Sequence, residues 1–238
     1  MKSLIIIPTY NEIENIEDII QAVLSTASTV DILVVDDNSP DGTAERVEQF
    51  MSEFPNRIYL LKRPDKNGLG QAYIAGFRWA VERDYFGVVQ MDADFSHDPK
   101  VIPIMIRSLE QNQMVIGSRY IKGVNVVNWP IGRILLSYGA SMYVRWITGM
   151  PVKDPTGGFN AIRMDILKQL NFSEIRFVGY AFQIEMKYWA WRSGFDLQEI
   201  PIVFTNREKG VSKMHGNIIW EALYGVLYLR LLKKHKHV

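Results

Sequence analysis

Val88-Val89-Gln90-Met91-Asp92-Ala93-Asp94 is an apolar run that ends in two carboxylates with one residue between them. Read as a buried strand, residues 88–91 leave Asp92 and Asp94 just past the C-terminal end. Side chains two apart in an extended chain share a face, so both acids point the same way. Two like charges aimed at one spot repel unless something positive lies between them. A divalent cation is the economical partner, and a phosphate often accompanies one. The alternative is a solvated Asp-Xaa-Asp turn, and the rest of the chain decides between them.

Upstream, Leu4-Ile5-Ile6-Ile7 stops at Pro8 and reads as a buried parallel strand. Asn11 reads as the N-cap of a helix over about residues 12–25, with Ile13, Ile16, Ile19, Ile20 and Val23 on one face. A second strand over residues 31–35 runs into Asp36-Asp37-Asn38-Ser39-Pro40-Asp41-Gly42, and a helix follows over residues 43–54. Residues 58–61 form a third strand. Lys66-Asn67-Gly68-Leu69-Gly70 is a turn, with Lys66 near any ligand, before a helix to Val81. The Val88 run is the fourth strand. A helix from Asp98-Pro99 and a fifth strand over residues 114–117 complete this half. Strands alternating with helices imply an α/β fold, a mostly parallel sheet with right-handed crossovers. Such sheets gather function at the C-terminal strand ends. Pro8 to Glu12, Asp36-Asp37 and Asp92/Asp94 therefore converge on one crevice.

After Gly117 the pattern changes. Ser118-Arg119-Tyr120 opens a loop that runs to Arg133. Residues 134–147 are apolar nearly all round, which predicts a buried helix; a helix lying on a membrane surface is the rival. Asp154-Pro155-Thr156-Gly157-Gly158-Phe159 is a turn dense in constrained residues. Glu185 falls on an apolar helical face, so it is either exposed or recruited to a partner. Residues 197–204 read as a strand broken by Pro201, which suits an edge or a bulge. A basic loop over residues 206–213 precedes a C-terminal amphipathic helix that ends in Lys233-Lys234-His235-Lys236-His237.

The 238 residues carry a net charge of +1, which argues against general nucleic-acid binding but leaves room for local basic clusters. The chain has no cysteine, so it has neither disulfides nor thiolate metal sites. The first apolar run is too short for a signal peptide, and no stretch reaches the ~20 apolar residues of a membrane span.

Pro8-Thr9-Tyr10-Asn11-Glu12, the Val34 to Gly42 stretch and Met91-Asp92-Ala93-Asp94 together resemble the nucleotide-sugar domain of family 2 glycosyltransferases, the GT-A fold. Gly117-Ser118-Arg119-Tyr120, Asn128-Trp129-Pro130, the Asp154 to Phe159 turn and Gly210-Val211-Ser212-Lys213 narrow this to a resemblance to dolichol-phosphate (polyprenol-phosphate) mannose synthases of the short type. Where relatives often carry Leu-Gln-His, this chain has Phe95-Ser96-His97.

The resemblance implies one GT-A domain over residues 1–238. Residues 1–120 would bind the nucleotide sugar, and 121–238 would supply the acceptor half and interfacial helices. It implies that Pro8, Tyr10, Glu12, Val35 and Asp37 border the nucleobase and ribose. Asp92, Ala93 and Asp94 would hold metal and diphosphate, with Asp92 and Asp94 as the metal ligands. Arg119 and Arg133 would meet the acceptor phosphate, and Arg207 and Lys213 the donor phosphates. The implied reaction moves mannose from GDP-mannose to a polyprenyl phosphate, with inversion, on the cytoplasmic face of a membrane to which the protein binds peripherally. A membrane-anchoring partner is compatible with this.

That chemistry suits the inventory. Oxygen-only ligands favour Mg²⁺ or Mn²⁺. Arginine grips phosphate oxygens bidentately. A phosphate nucleophile is already an anion and needs no strong base, so His97 and His215 read as structural or surface residues. For a saccharide hydroxyl acceptor, Asp94 would be the nearest base. UDP-glucose as donor, or a nucleotide-sugar-binding subunit without catalysis, are the other readings.

Overall fold

The computed structural model describes residues 2–206 and 217–231. Five strands lie where the apolar runs place them: β1 (Ser3–Thr9), β2 (Val30–Asp36), β3 (Ile58–Lys62), β4 (Gly87–Gln90) and β5 (Met114–Ser118). Alternate residues feed two separate cores. Ile5, Ile7, Val34 and Val89 face α1 (Ile16–Thr26), α2 (Thr43–Glu53) and α4 (Ile102–Leu109). Leu4, Ile6, Leu33 and Val88 face α3 (Leu69–Val81), α6 (Met164–Gln169), α7 (Tyr180–Arg192) and α8 (Asn217–Leu231). Both faces of the central strands are covered, which is why their middles are continuous apolar runs rather than alternating.

The main sheet runs β3-β2-β1-β4-β7-β5-β8, with β7 (Asn160–Arg163) and β8 (Leu197–Pro201). β7 is antiparallel to both neighbours, with Asn160 opposite Gln90 on one side and Ile116 on the other. Because β7 runs backwards, its N-terminal end lies at the same edge as the C-terminal ends of β4 and β5. The preceding turn, residues 154–159, is thereby delivered to the crevice. β8 is the edge strand and ends at Pro201, as expected. A second, two-stranded sheet pairs β6 (Val126–Val127) with β9 (Phe204–Thr205) and ties the loop after β5 to the chain leaving β8.

Two expectations are corrected. α1 begins at Ile16, not near Glu12, and Asn11 is not its cap but sits at φ 54°. The backbone N–H groups of Asn11, Glu12 and Ile13 donate instead to Ser39, Thr43 and Asp41 at 3.0, 3.0 and 3.1 Å. These bonds across the crevice hold that segment out of the helix. The segment at residues 134–147 lies within α5 (Ile131–Thr148), which is helical but not buried. Ile131, Leu135 and Trp146 are 75%, 66% and 82% exposed, and within α5 only Ser141, Val144 and Thr148 are buried. α3, α6 and α7 already cover the sheet face, so α5 meets the fold along a narrow stripe. Part of it rests on α8, where the Tyr143 hydroxyl donates to the Leu223 carbonyl at 3.1 Å. No helix among the described residues is long and apolar enough to cross a membrane.

The insertion of β7 depends on a close approach at Gly87. A Cβ there would lie 2.7 Å from the Ile162 carbonyl oxygen, a backbone atom that cannot swing aside. Gly87→Ala should therefore push β4 and β7 apart and lower stability by about 1–3 kcal/mol, read as a fall in the urea midpoint. An unchanged midpoint would show that the pairing tolerates the methyl.

Candidate active site

The crevice opens along the C-terminal ends of β1, β2, β4 and β5. At its first wall, Asp36 is scaffold. Its carboxylate accepts the Thr9 hydroxyl at 2.8 Å and the Ser39 hydroxyl at 2.6 Å, which locks the two strand ends together. Asp37 is also buried and takes Arg63 Nη1 at 2.6 Å. Burial pushes its carboxyl up, and the Arg63 guanidinium pulls against that. Pro8, Tyr10 and Glu12 are half-buried, and the Lys66 ammonium lies 4.2 Å over the Tyr10 ring. Val35 has no exposed surface and packs beside Gly76.

Asp92, Ala93 and Asp94 follow directly on β4. Asp92 is half-buried and accepts the Tyr73 hydroxyl at 3.3 Å, while Asp94 is buried and accepts the Ser96 N–H at 3.1 Å. The turn is tight enough to force Phe95 to φ 59°, a left-handed conformation that a bulky residue rarely adopts. His97 supports this turn. Its Nδ1 accepts the Asp92 N–H at 3.1 Å, and its ring stacks on Phe159 with centroids 4.7 Å apart. Burial pulls the His97 pKa down, so the imidazole is neutral with its proton on Nε2. No group of three or more acidic or histidine ligands occurs among the described residues. Two adjacent carboxylates fit a hard cation that completes its shell with diphosphate oxygens and water, the habit of Mg²⁺ and Mn²⁺.

The opposite wall is built on Arg119, just past β5. Its Nε and Nη2 donate to Asp154 at 2.7 Å each, its backbone N–H donates to the same carboxylate at 2.9 Å, and Nη2 also reaches Thr156 at 2.8 Å. Both partners are buried, and the pairing holds the Asp154 carboxyl below its usual range against burial. Trp129 stands beside two guanidiniums, with Arg133 4.1 Å and Arg119 5.6 Å from its ring centroid. Arg133, in the first turn of α5, donates to Asn206 at 3.0 Å. Arg207 and Lys213 lie outside the described residues, as do His215 and the C-terminal Lys/His cluster. Glu185 is buried and recruited to backbone, accepting the N–H groups of Arg176 and Phe177 at 3.0 Å each.

The family described as "Glycosyl transferase family 2" matches residues 4–170, which contain every element of the crevice up to β7. The chain belongs to glycosyl transferase family 2. Polyprenol monophosphomannose synthase of Mycolicibacterium smegmatis is 42% identical over 226 residues, covering 94% of this chain and 85% of that protein. Undecaprenyl-phosphate mannosyltransferase of Micrococcus luteus is also 42% identical, covering 95% and 93%. Dolichol-phosphate mannosyltransferase of Pyrococcus furiosus is 37% identical over 240 residues; the match covers 98% of this chain but 64% of that longer protein. Among solved structures, glucosyl-3-phosphoglycerate synthase of Mycobacterium tuberculosis, in complex with Mn²⁺, uridine diphosphate and glucosyl-3-phosphoglycerate, superposes with a TM-score of 0.73 at 18% identity. That match covers 98% of this chain and 81% of that one, and it shows a GT-A-like fold.

Some of this family 2 site lay beyond sequence reading. The Asp154 turn stood out by composition, but its partner is 35 residues away. His97 read as structural or surface, and it is structural; its partners, the Asp92 N–H and the Phe159 ring, were not legible. Lys187 gave no signal: it reads as one polar residue in a helix. It is fully buried, and burial pushes its pKa down to about 7 although Asp154 and Glu199 work against this. An unfolded lysine titrates near ~10.4. Between those two values the unfolded chain binds more protons than the folded one, so stability rises with pH across that window. Urea unfolding at pH 6.5 and 9.5 should show a gain on the order of a few kcal/mol in the wild type, and Lys187→Met should abolish most of it. An equal gain in the variant would assign the effect to another group.

Proposed function

We propose that the protein transfers mannose from GDP-mannose to a polyprenyl phosphate, inverting the anomeric carbon. The observation that carries this reading is α5. Its first turn holds Arg133 at the crevice, while Ile131, Leu135, Leu136, Met142 and Trp146 of the same helix are exposed. A cation on the inner face of a helix whose outer face is apolar suits an acceptor that is a phosphate on a lipid chain. The names of the three relatives, each joining a polyprenyl phosphate or polyprenol to mannose, support the same reading.

In this reading residues 1–120 hold the donor, and later residues hold the acceptor. Pro8, Tyr10, Glu12, Val35 and Asp37 surround guanine and ribose. Asp92, Ala93 and Asp94 lie at the diphosphate and the metal, joined by Arg207 and Lys213. When bound, Mg²⁺ or Mn²⁺ supplies Lewis-acid neutralisation of the departing diphosphate. Arg119 and Arg133 orient the acceptor phosphate. One of its oxygens forms the new bond to the anomeric carbon from the face opposite the diphosphate. The old carbon–oxygen bond breaks, and GDP leaves with that electron pair. An α-linked donor thus gives a β-linked product. The nucleophile is already an anion, so no side chain need take a proton from it, which fits the neutral, hydrogen-bonded state of His97. The exposed faces of α5 and α8 rest on the cytoplasmic surface of the membrane that holds the acceptor.

Labelled GDP-mannose and a polyprenyl phosphate should give an organic-extractable mannolipid, and UDP-glucose should give far less product. Asp94→Asn should lower kcat by about 10²–10³-fold. Absence of mannolipid from a protein that turns over UDP-glucose would overturn the donor assignment.

Membrane docking has its own test. Leu135→Ser with Trp146→Ser removes two large exposed side chains, each worth roughly 1.5–3 kcal/mol when buried in lipid. The double variant should bind phosphatidylglycerol vesicles at least about tenfold more weakly in co-sedimentation, with its thermal midpoint unchanged. Equal binding would remove α5 from the membrane surface.

A further inference from the structure

Lys187 has no exposed surface, and the mechanism above does not use it. Its Nζ donates to the Gly157 carbonyl at 2.6 Å and lies 3.4 Å from the Gln183 carbonyl, both neutral partners. Gly157 belongs to the turn whose Asp154 grips Arg119. Among the described residues, the charged groups that face the ammonium are Asp154 on that turn, Arg119 just past β5 and Glu199 on β8. Glu199 fastens the same turn from the other side, accepting the N–H groups of Lys153 and Asp154 at 2.9 Å each. Two carboxylates and two cations make a group with no net charge. Without the lysine's proton the group is net negative, the wrong sign for receiving a phosphate. Asp154 already cancels the charge of Arg119, so Lys187 sets the sign.

We propose that Lys187 is a positioning residue for the acceptor phosphate: its ammonium holds, by the Gly157 carbonyl, the turn whose Asp154 grips Arg119, and keeps that wall of the crevice from becoming negative. The proposal rests on the polyprenyl-phosphate reading above. Because burial brings its pKa to about 7, the lysine changes charge in the neutral range. A phosphate monoester has its second pKa near ~6, so it gains negative charge as pH rises and would by itself bind a cationic site better. The lysine drives affinity the opposite way.

Calorimetry with farnesyl phosphate, a short polyprenyl phosphate, tests this at pH 6.5 and 8.5. Wild-type affinity should fall as the pH rises. Lys187→Met should bind about tenfold more weakly than wild type at pH 6.5 and within about twofold at pH 8.5, with GDP-mannose affinity unchanged at both. Wild-type affinity that rises with pH, or a variant deficit equal at both pH values, overturns the proposal. The wild-type profile decides the matter alone if the variant does not fold. Wild-type protein that binds GDP-mannose but not farnesyl phosphate overturns the acceptor reading, and the role of Lys187 with it.

Discussion

Asp154 has no exposed surface and still carries a charge, because Arg119 donates two side-chain hydrogen bonds and one backbone bond to its carboxylate. Breaking such a pair from one side leaves an uncompensated buried charge, which costs about 3–5 kcal/mol. Two distant pieces of chain are therefore fixed together: the end of β5 and the turn that leads into β7. The antiparallel entry of β7 between β4 and β5 depends on that turn arriving at the crevice edge. Asn160, at the start of β7, spends its amide nitrogen on Gln90, Gln183 and the Gly157 carbonyl, at 3.1, 3.0 and 3.2 Å. The middle of the sheet and one wall of the site are thus one construction.

That construction divides the charges of the crevice. Several acids that look alike in sequence do different work. Asp36 is consumed by hydrogen bonds to Thr9 and Ser39, Asp37 by Arg63, and Asp154 by Arg119. Asp92 accepts the Tyr73 hydroxyl and Asp94 the Ser96 N–H, both just past the end of β4 at the crevice. The same sorting applies to cations. Arg119 is buried and paired with Asp154, whereas among the described residues Arg133 is bonded to the neutral Asn206 amide and stacked on the Trp129 indole.

The five parallel strands were legible because a strand covered on both faces must be apolar at every position, and the acidic strand ends followed from topology. β7 was not legible. Four residues beginning with a buried asparagine carry no apolar run, and their place is set by contacts with Gln90 and Ile116 far away in sequence. The start of α1 was misread because local capping propensity at Asn11 lost to three hydrogen bonds from the neighbouring loop. α5 was misread for a different reason. Apolar composition marks a surface that gains by leaving water, but it does not say that the chain's own core covers it.

α5 joins these strands of reasoning. Its first turn carries no acidic residue and one arginine, at the end of the helix where the macrodipole is already positive. Placing a cation there is unfavourable for an isolated helix, so the position makes physical sense when an anion arrives to compensate both. Ile131, Leu135 and Trp146 are exposed on the other face of the same helix, where apolar area gains free energy only by leaving water. An acceptor with its phosphate at Arg133 and its hydrocarbon beside these side chains satisfies both ends of the helix's imbalance at once. A purely polar acceptor satisfies only the first, and a bare membrane only the second.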